Sequence, residues 1–405
     1  MIHYKDRNTA KRAIFIVMFI WTFFNGAFVN INAPLIKTIA ETQGFADATM
    51  VNYLATIANL AMVGANIVLS VIGGRRMNMR LWVVITGVLT IGGSMGAILV
   101  SDSLEAMIVM RFFVGFGAGI GCLIAGANLP YFFEGKELAT VMGIVTAGSG
   151  FWGFVFSNIS GVINASFGWK ASYMLFCYAV IPVLLFLIFI PKERFIQEPV
   201  KAVSGGKKAE ELSPTIIFYV VLAFLVYMMV QVMWSNISIW IAEAPIRANL
   251  MQIGVAASVM PLASFIGRSL NGPIFNKLGR FTLHMFFVML IAGLFIGSAA
   301  SSFGPAMAAI FLVGATMGLA HPALTMMGIN SSPRGQVRAQ ALILAAENLG
   351  SFFSTQWRVS ISRLGDGSLP SAFKINACFV IAVLLVSLAV TFMLMAREKR
   401  RAAAQ

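Results

Sequence analysis

Five ionisable side chains lie inside long apolar stretches of this sequence: Arg111, Arg268, His321, Glu347 and Arg358. If those stretches cross a membrane, each such group costs about 2.5–3.5 kcal/mol on insertion scales, so it marks a solute or proton pathway by default. Glu347 is the carboxylate nearest the middle of its stretch, and its affinity for a proton depends on its surroundings. We therefore expect transport to be coupled to protons through Glu347, with His321 as a second titratable group.

Polar and aromatic residues also recur at helical spacing. Residues three or four positions apart share one helix face, and such faces fit a pocket that stacks against a solute and hydrogen-bonds it. The three faces consist of Trp21, Asn25, Phe28 and Asn32; of Tyr227, Gln231, Trp234 and Ser238; and of Glu347, Ser351, Ser354 and Arg358.

Each candidate has a structural alternative. Arg111 could instead serve structural pairing or gating, and His321 precedes Pro322, so it could satisfy carbonyls freed at a kink. Arg358 could extend its charge to the membrane interface. Asn52, Asn59 and Asn66 recur every seven residues, a spacing that favours hydrogen bonds between helices over ligand contact.

The elements that would position these residues are membrane-spanning helices. Of the 405 residues, 59% are hydrophobic and 11% charged, whereas soluble domains contain about 25% charged residues. A helix crosses the bilayer with roughly 20 apolar residues, and runs such as 181–190 do not alternate as barrel strands do. The predicted spans are 13–40, 49–72, 81–100, 105–131, 139–163, 171–190, 215–243, 251–275, 281–300, 305–330, 337–363 and 371–396.

The twelve predicted spans fall into two sets of six, which indicates a duplicated unit. We predict an N-terminal six-helix bundle over 1–190, a cytoplasmic linker over 191–214 and a C-terminal six-helix bundle over 215–405. The fold class is therefore an all-α integral membrane protein. We expect it to be monomeric.

The net charge of +14 comes mainly from loops on one side of the predicted bundle. This positive-inside pattern places both termini in the cytoplasm of a cell membrane, with a bacterial inner membrane expected. The basic residues thus report topology and do not indicate a nucleic-acid partner. The three cysteines have no ligand-like spacing, so neither disulfides nor a metal site is expected.

Two local motifs carry a family resemblance. Gly272-Pro-Ile-Phe-Asn276-Lys277-Leu-Gly279-Arg280 is similar to G-x-x-x-D-[RK]-x-G-[RK] with an amide in place of the acid, and Gly74-Arg75-Arg76 is a partial copy in the first half. Arg111 opens an R-x-x-x-G-x-G sequence. With these motifs and its two six-span halves, the chain resembles the major facilitator superfamily over essentially its whole length.

The resemblance implies a fold of two pseudo-symmetric bundles that alternate access to a central cavity. It implies that residues on spans one, four, seven and ten contact substrate, and it associates Arg111 with proton coupling. The implied gating loops contain Arg75, Arg76, Asn276, Lys277, Gly279 and Arg280. In the family, the acid of each loop motif ties helix ends together in the outward-open state. Asn276 and Val71 occupy those positions here, so we predict a weaker outward-open bias.

A narrower likeness involves Gly267-Arg268-Ser-Leu-Asn-Gly272, which is similar to the oxalate/formate exchanger and monocarboxylate transporter branches, where the arginine contacts a carboxylate. The drug-antiporter motif G-P-x-x-G-G is not kept at Phe156-Ser157 and Ser160-Gly161. The expected substrate contacts are Asn25, Asn32, Arg111, Tyr227, Gln231, Trp234, Arg268, His321 and Arg358.

These features predict a secondary active transporter that takes up a small organic anion, a carboxylate, in symport with protons. The alternative is a proton-driven exporter of amphipathic drugs, and a more remote one is a membrane receptor or lipid-handling protein. We expect that the protein is not an enzyme and that it binds no cofactor. The G-x-G-x-x-G match at residues 148–153 lies inside a span with no preceding strand, so it does not indicate nucleotide binding.

Overall fold

The computed structural model describes residues 6–72, 79–191, 215–243, 245–331 and 336–403. Within these ranges the chain forms helices joined by short connections, and the described residues contain no β-strand. The prediction of an all-α chain is confirmed.

The first half contains six helical spans. They are span 1 (Arg7–Trp21, Phe23–Asn30 and Ile36–Gln43), span 2 (Ala48–Ile72), span 3 (Met79–Leu99), span 4 (Leu104–Asn128), span 5 (Gly135–Phe167) and span 6 (Trp169–Tyr173 and Val180–Phe189, joined by the 3₁₀ turn Met174–Ala179).

The second half repeats this arrangement. It consists of span 7 (Thr215–Trp234 and Ile237–Ala242), span 8 (Leu250–Leu278), span 9 (Thr282–Ala299), span 10 (Phe303–Ser331), span 11 (Gln336–Ser362) and span 12 (Leu369–Ala403).

Span 11 differs from the other spans in composition. Among the described residues, eleven helices are long and apolar enough to cross a membrane, and span 11 is not one of them. Its 27 residues measure about 40 Å at about 1.5 Å per residue, so length is sufficient. The polar face containing Glu347, Ser351 and Ser354 is buried in the protein, which is where polar side chains of a membrane helix are tolerated.

Span 1 is interrupted, which the apolar pattern did not predict. Pro34 lies in a 3₁₀ turn, Ala33–Leu35, between the helices that end at Asn30 and begin at Ile36. Proline has no backbone N–H, so the helical hydrogen-bond ladder cannot continue through it. Spans 5 and 12 also extend several residues past their predicted ends, because helices continue beyond the apolar stretch.

The starts of spans 1 and 5 are tied together by Arg7 with Glu134 and by Lys11 with Glu137. We call this end of the bundle the terminal end and the opposite end the far end. Most of the predicted linker 191–214 lies outside the described residues, so its boundaries stay a prediction.

The two halves pack against each other along spans 5 and 8 and spans 2 and 11. A Cβ added to Gly161 on span 5 would lie 2.3 Å from the Cα of Gly254 on span 8, so only glycine permits this crossing. Towards the far end, Asn52 Nδ2 donates to Asn236 Oδ1 over 2.9 Å, and the hydroxyls of Thr56 and Thr355 lie 2.9 Å apart. These contacts hold the halves together from the middle of the bundle towards the far end.

Candidate functional site

A cavity of about 250 Å³ lies between the two halves. Typical sites for drug-sized ligands occupy about 300–1,000 Å³, so this space suits a small solute. Spans 1, 2, 4, 5, 7, 8, 10 and 11 contribute to its wall. The polar and ionisable lining residues include Asn25, Asn30, Asn59, Thr146, Ser149, Tyr227, Gln231, Ser264, Arg268, His321, Thr325, Glu347, Asn348 and Ser351.

Arg268 on span 8 reaches from the second half to the first. Its Nη1 donates to the Ser149 hydroxyl over 2.9 Å and to the Thr146 carbonyl over 3.3 Å. Its Nε is buried and has no hydrogen-bond partner among the described residues. Both acceptors are neutral, and within the described ranges no carboxylate lies at ion-pairing distance from this guanidinium.

His321 and Glu347 form a pair in the wall of the same cavity. His321 Nδ1 lies 2.8 Å from Glu347 Oε2, which is hydrogen-bond distance, and the tautomer of the imidazole decides which of the two groups donates. Glu347 Oε1 is buried without a hydrogen-bond partner among the described residues. Of the cavity-lining residues, Glu347 is the one carboxylate.

One face of span 7 forms an aromatic and amide wall. Tyr227, Gln231 and Trp234 line the cavity, whereas Ser238, the fourth member of the predicted stripe, lies in the second helix of span 7 and does not. Tyr227, Arg268 and Glu347 line one cavity, so the two charged groups border the same space. From span 1, Asn25 and Phe28 also line the cavity.

Arg111 and Asn32 are placed elsewhere. Arg111 is fully buried behind the wall and donates from Nη2 to the Phe28 carbonyl over 2.5 Å and from Nε to the Leu54 carbonyl over 3.2 Å. Asn32 donates to the same Leu54 carbonyl over 3.1 Å and accepts from the Tyr173 hydroxyl over 2.5 Å. Neither lines the cavity, and the two brace the chain beside the interruption of span 1.

Arg358 is half-buried and also lies away from the cavity lining. The predicted stripe on span 11 therefore divides, because Glu347 and Ser351 line the cavity while Ser354 and Arg358, farther along the helix, do not. In the structure, position along a helix face decides which members of a stripe reach the solute space.

The predicted gating loops are described in part. Gly279 has a φ of 52° in the turn after span 8, a left-handed conformation that favours glycine. Lys277 is exposed in the last turn of span 8, Asn276 lies in that helix, and Arg280 follows in the next turn. Arg75 and Arg76 lie outside the described residues.

Several lining residues were not predicted as contacts. Thr146 and Ser149 lie three residues apart on span 5, so they share a helix face as the members of the predicted stripes do. Their role depends on hydrogen bonds from Arg268 of the other half, which the spacing alone does not predict. Asn59 was assigned to helix packing, and it borders the cavity with a buried Nδ2 that has no partner among the described residues. Asn348, next to Glu347, also lines the space. Among the residues described, no group of His, Cys, Asp and Glu side chains could hold a metal ion.

Three solved structures with similar folds are those of transporters. The nucleoside transporter NupG matches with a TM-score of 0.71 and 12% identity, over 94% of this chain and 99% of that one. The POT family transporter PepTSo gives 0.74 and 9% identity, over 96% and 98%. A bacterial homolog of the human lysosomal transporter Spinster, in an inward-facing and unoccupied conformation, gives 0.64 and 14%, over 96% of each chain. At these identities the likeness shows the fold alone.

Sequence comparisons identify the family. An uncharacterized MFS-type transporter, YceJ of Bacillus subtilis (strain 168), is 26% identical over 241 residues, which is 58% of this chain and 60% of that protein. The match therefore spans less than two thirds of the relative's length. The model of the Major Facilitator Superfamily matches residues 18–355. The chain belongs to the major facilitator superfamily and is a multi-pass membrane transporter with that family's fold.

Proposed function

We propose that this transporter takes up a small organic anion together with protons by alternating access. The observation that carries the proposal is that one cavity is lined both by an arginine without a carboxylate partner among the described residues and by a hydrogen-bonded His–Glu pair. We also propose that both termini lie in the cytoplasm. This orientation of the chain in the membrane rests on the positions of the basic loops.

The anion would bind at Arg268. A guanidinium bound to neutral oxygens keeps its full charge, and charge-assisted hydrogen bonds to a carboxylate are about twice as strong as neutral ones. The buried Nε of Arg268 offers a donor that the described residues leave unused. A carboxylate at this position would satisfy that donor and could displace the Ser149 hydroxyl from Nη1.

Proton coupling would follow from the negative charge of Glu347. An ionised Glu347 and a bound carboxylate in one cavity of low dielectric constant repel each other. A proton taken up by the His321–Glu347 pair offsets one negative charge, so the anion then binds more favourably. By linkage, the bound anion favours protonation to the same extent, which is what symport requires.

The site spans both halves, as alternating access requires. Arg268, His321 and Glu347 belong to the second half, whereas the acceptors Thr146 and Ser149 belong to the first. A rocking motion of the halves would break and re-form the hydrogen bonds of Arg268, so solute binding at this residue and the motion are directly connected.

Export of amphipathic drugs is the second candidate, and one observation favours it. Glu347 Oε1 is buried without a partner among the described residues, and a cationic group could occupy that position. The aromatic wall with Tyr227 and Trp234 would accommodate the apolar part of such a compound. The anion proposal is preferred because Arg268 would repel a cation in the same cavity.

Charge preference separates the two functions. Purified protein in liposomes would be tested for uptake of radiolabelled acetate, lactate and benzoate under an inward proton gradient, and for expulsion of a cationic dye. We expect Arg268→Gln to abolish carboxylate uptake while Arg363→Gln, an exposed arginine at the end of span 11, has no effect. Unchanged carboxylate uptake in Arg268→Gln, with dye expulsion by the unaltered protein, would overturn the anion proposal.

A further inference from the structure

A second cavity adjoins the first and lies within the first half of the molecule. This side pocket has a volume of about 170 Å³ and lies between spans 1, 4 and 5. Its lining residues are Trp21, Thr22, Asn25, Gly121, Cys122, Leu129, Met142, Val145, Thr146 and Ser149. Four of them, Asn25, Cys122, Thr146 and Ser149, also line the central cavity, so the two spaces adjoin.

The polar atoms of the side-pocket wall are largely satisfied inside the protein. Trp21 Nε1 donates to the Gly121 carbonyl over 2.8 Å, Thr22 Oγ1 to the Phe19 carbonyl over 2.7 Å and Thr146 Oγ1 to the Met142 carbonyl over 2.6 Å. The wall therefore presents mainly apolar surface to an occupant, from the indole of Trp21 and from the side chains of Leu129, Met142 and Val145. Such a surface stabilises an apolar group by removing it from water.

The volume matches one ring. An apolar cavity of about 150 Å³ is large enough to bind benzene, and the side pocket measures about 170 Å³. A fused two-ring system would need more space than this.

The mouth of the side pocket coincides with the cationic group. Thr146 and Ser149 line both cavities, and they are also the residues to which Arg268 donates, over 3.3 and 2.9 Å. A carboxylate bound to Arg268 would thus lie at the mouth of the side pocket. An apolar group attached to it by a short linker would extend between spans 1, 4 and 5.

We infer that the side pocket holds a ring-sized apolar group of the transported anion, so that the substrate is an aromatic or similarly compact apolar carboxylate. This inference rests on the proposed function, because it requires the carboxylate to bind Arg268. The ring would contact the first half and the carboxylate the second. A substrate with both parts links the two halves, whereas a short aliphatic acid engages Arg268 alone.

Ligand binding to the purified full-length protein tests the inference directly. Thermal stabilisation by mass action would be measured with benzoate and phenylacetate, with acetate and lactate, and with the neutral benzamide. We expect the ring acids to act at concentrations at least about tenfold lower than the aliphatic acids, a difference that one buried ring readily supplies. Benzamide should have little effect, because it lacks the charge that Arg268 binds.

Variants of the pocket wall locate the ring. Val145→Phe fills the side pocket and should remove the advantage of the ring acids while leaving acetate and lactate binding unchanged. Ile144→Phe is the matched control, since Ile144 precedes Val145 on span 5 and is 44% exposed. Leu129→Ala enlarges the pocket and does not overpack it, so it should shift the preference from benzoate to 2-naphthoate.

The outcomes distinguish the inference from the function on which it rests. If Arg268-dependent binding of acetate and lactate is as strong as that of benzoate, and neither Val145→Phe nor Leu129→Ala changes the preference, the side-pocket inference fails and the anion proposal stands. If no carboxylate stabilises the protein, or if Arg268→Gln leaves all carboxylate binding unchanged, the proposed function fails and the inference fails with it.

Discussion

Arg268 Nη1 on span 8 donates to the Ser149 hydroxyl on span 5 over 2.9 Å. The cation that borders the central cavity is thus held by a neutral group of the opposite half. A solute carboxylate and Ser149 would compete for the same donor, so this hydrogen bond connects the occupancy of the cavity with the contact between the halves.

Ser149→Ala should therefore strengthen carboxylate binding. Without the hydroxyl, Nη1 of Arg268 loses a neutral partner, and the solute no longer has to displace it. Hydrogen bonds to charged groups contribute about 1.5–3 kcal/mol, and we expect a gain in apparent affinity of up to about tenfold, which corresponds to about 1.4 kcal/mol.

Calorimetric titration with benzoate would measure the change in affinity. Ser258→Ala on span 8 is the control, because that buried hydroxyl donates to the Val255 carbonyl of its own helix. Weaker binding in Ser149→Ala would mean that the hydroxyl orients Arg268 and does not compete with the solute.

Glu347→Gln should uncouple transport from protons. The amide keeps the size of the side chain but cannot bind and release a proton, so an inward proton gradient should no longer drive accumulation. Solute movement down its own concentration gradient should continue. Liposome uptake with and without the gradient checks this, with Glu41→Gln as a control at an exposed glutamate. Undiminished gradient-driven accumulation in Glu347→Gln would exclude this coupling role.

Much of the fold follows from the sequence, because spans are set by local apolar length. The site follows less completely. Tyr227, Gln231 and Trp234 share an uninterrupted helix, so their periodicity predicts their common exposure to the cavity. Asn32 would continue the stripe of Asn25 only in an unbroken helix, and the helix that contains Asn25 ends at Asn30. Helical periodicity therefore does not apply at that position.

Contacts between distant spans could not be predicted from a single helix face. Arg111 has the residue type of a substrate or proton site, but the structure shows it bound to the Phe28 and Leu54 carbonyls behind the cavity wall. The partnership of Arg268 with Thr146 and Ser149 likewise depends on how the halves pack. Periodicity identifies a polar face, whereas the tertiary structure decides what covers it.

Arg111→Lys should destabilise the protein without changing the ratio of protons to solute. A lysine keeps the charge, but its single ammonium cannot reproduce the fork that joins the Phe28 and Leu54 carbonyls. Loss of one such bond would lower the free energy of unfolding by about 1.5–3 kcal/mol. Thermal unfolding in detergent and the stoichiometry of uptake in liposomes would be measured together. A changed stoichiometry with unchanged stability would assign Arg111 to proton coupling.

Gly161→Ala should open the far end of the bundle. The added Cβ would lie 2.3 Å from the Cα of Gly254, so spans 5 and 8 must separate. Overpacking of this kind costs typically about 1–3 kcal/mol. This cost destabilises the arrangement described here, in which Asn52 and Asn236 join the halves. An arrangement in which spans 5 and 8 lie apart at the far end does not bear the cost, so Gly161→Ala should shift the equilibrium towards it.

Accessibility labelling would detect the change. Ser238→Cys, in a background with Cys122, Cys177 and Cys378 replaced by alanine, should react slowly with a membrane-impermeant maleimide, because Ser238 at the far end of span 7 is buried in the described arrangement and its replacement leaves the Asn52–Asn236 hydrogen bond in place. Adding Gly161→Ala should accelerate the reaction. Gly143→Ala on the same helix should not, since no atom lies within 4 Å of its added Cβ. Fast labelling before Gly161 is changed would show that the substrate-free protein is mainly open at the far end, contrary to the weak outward-open bias expected from Asn276.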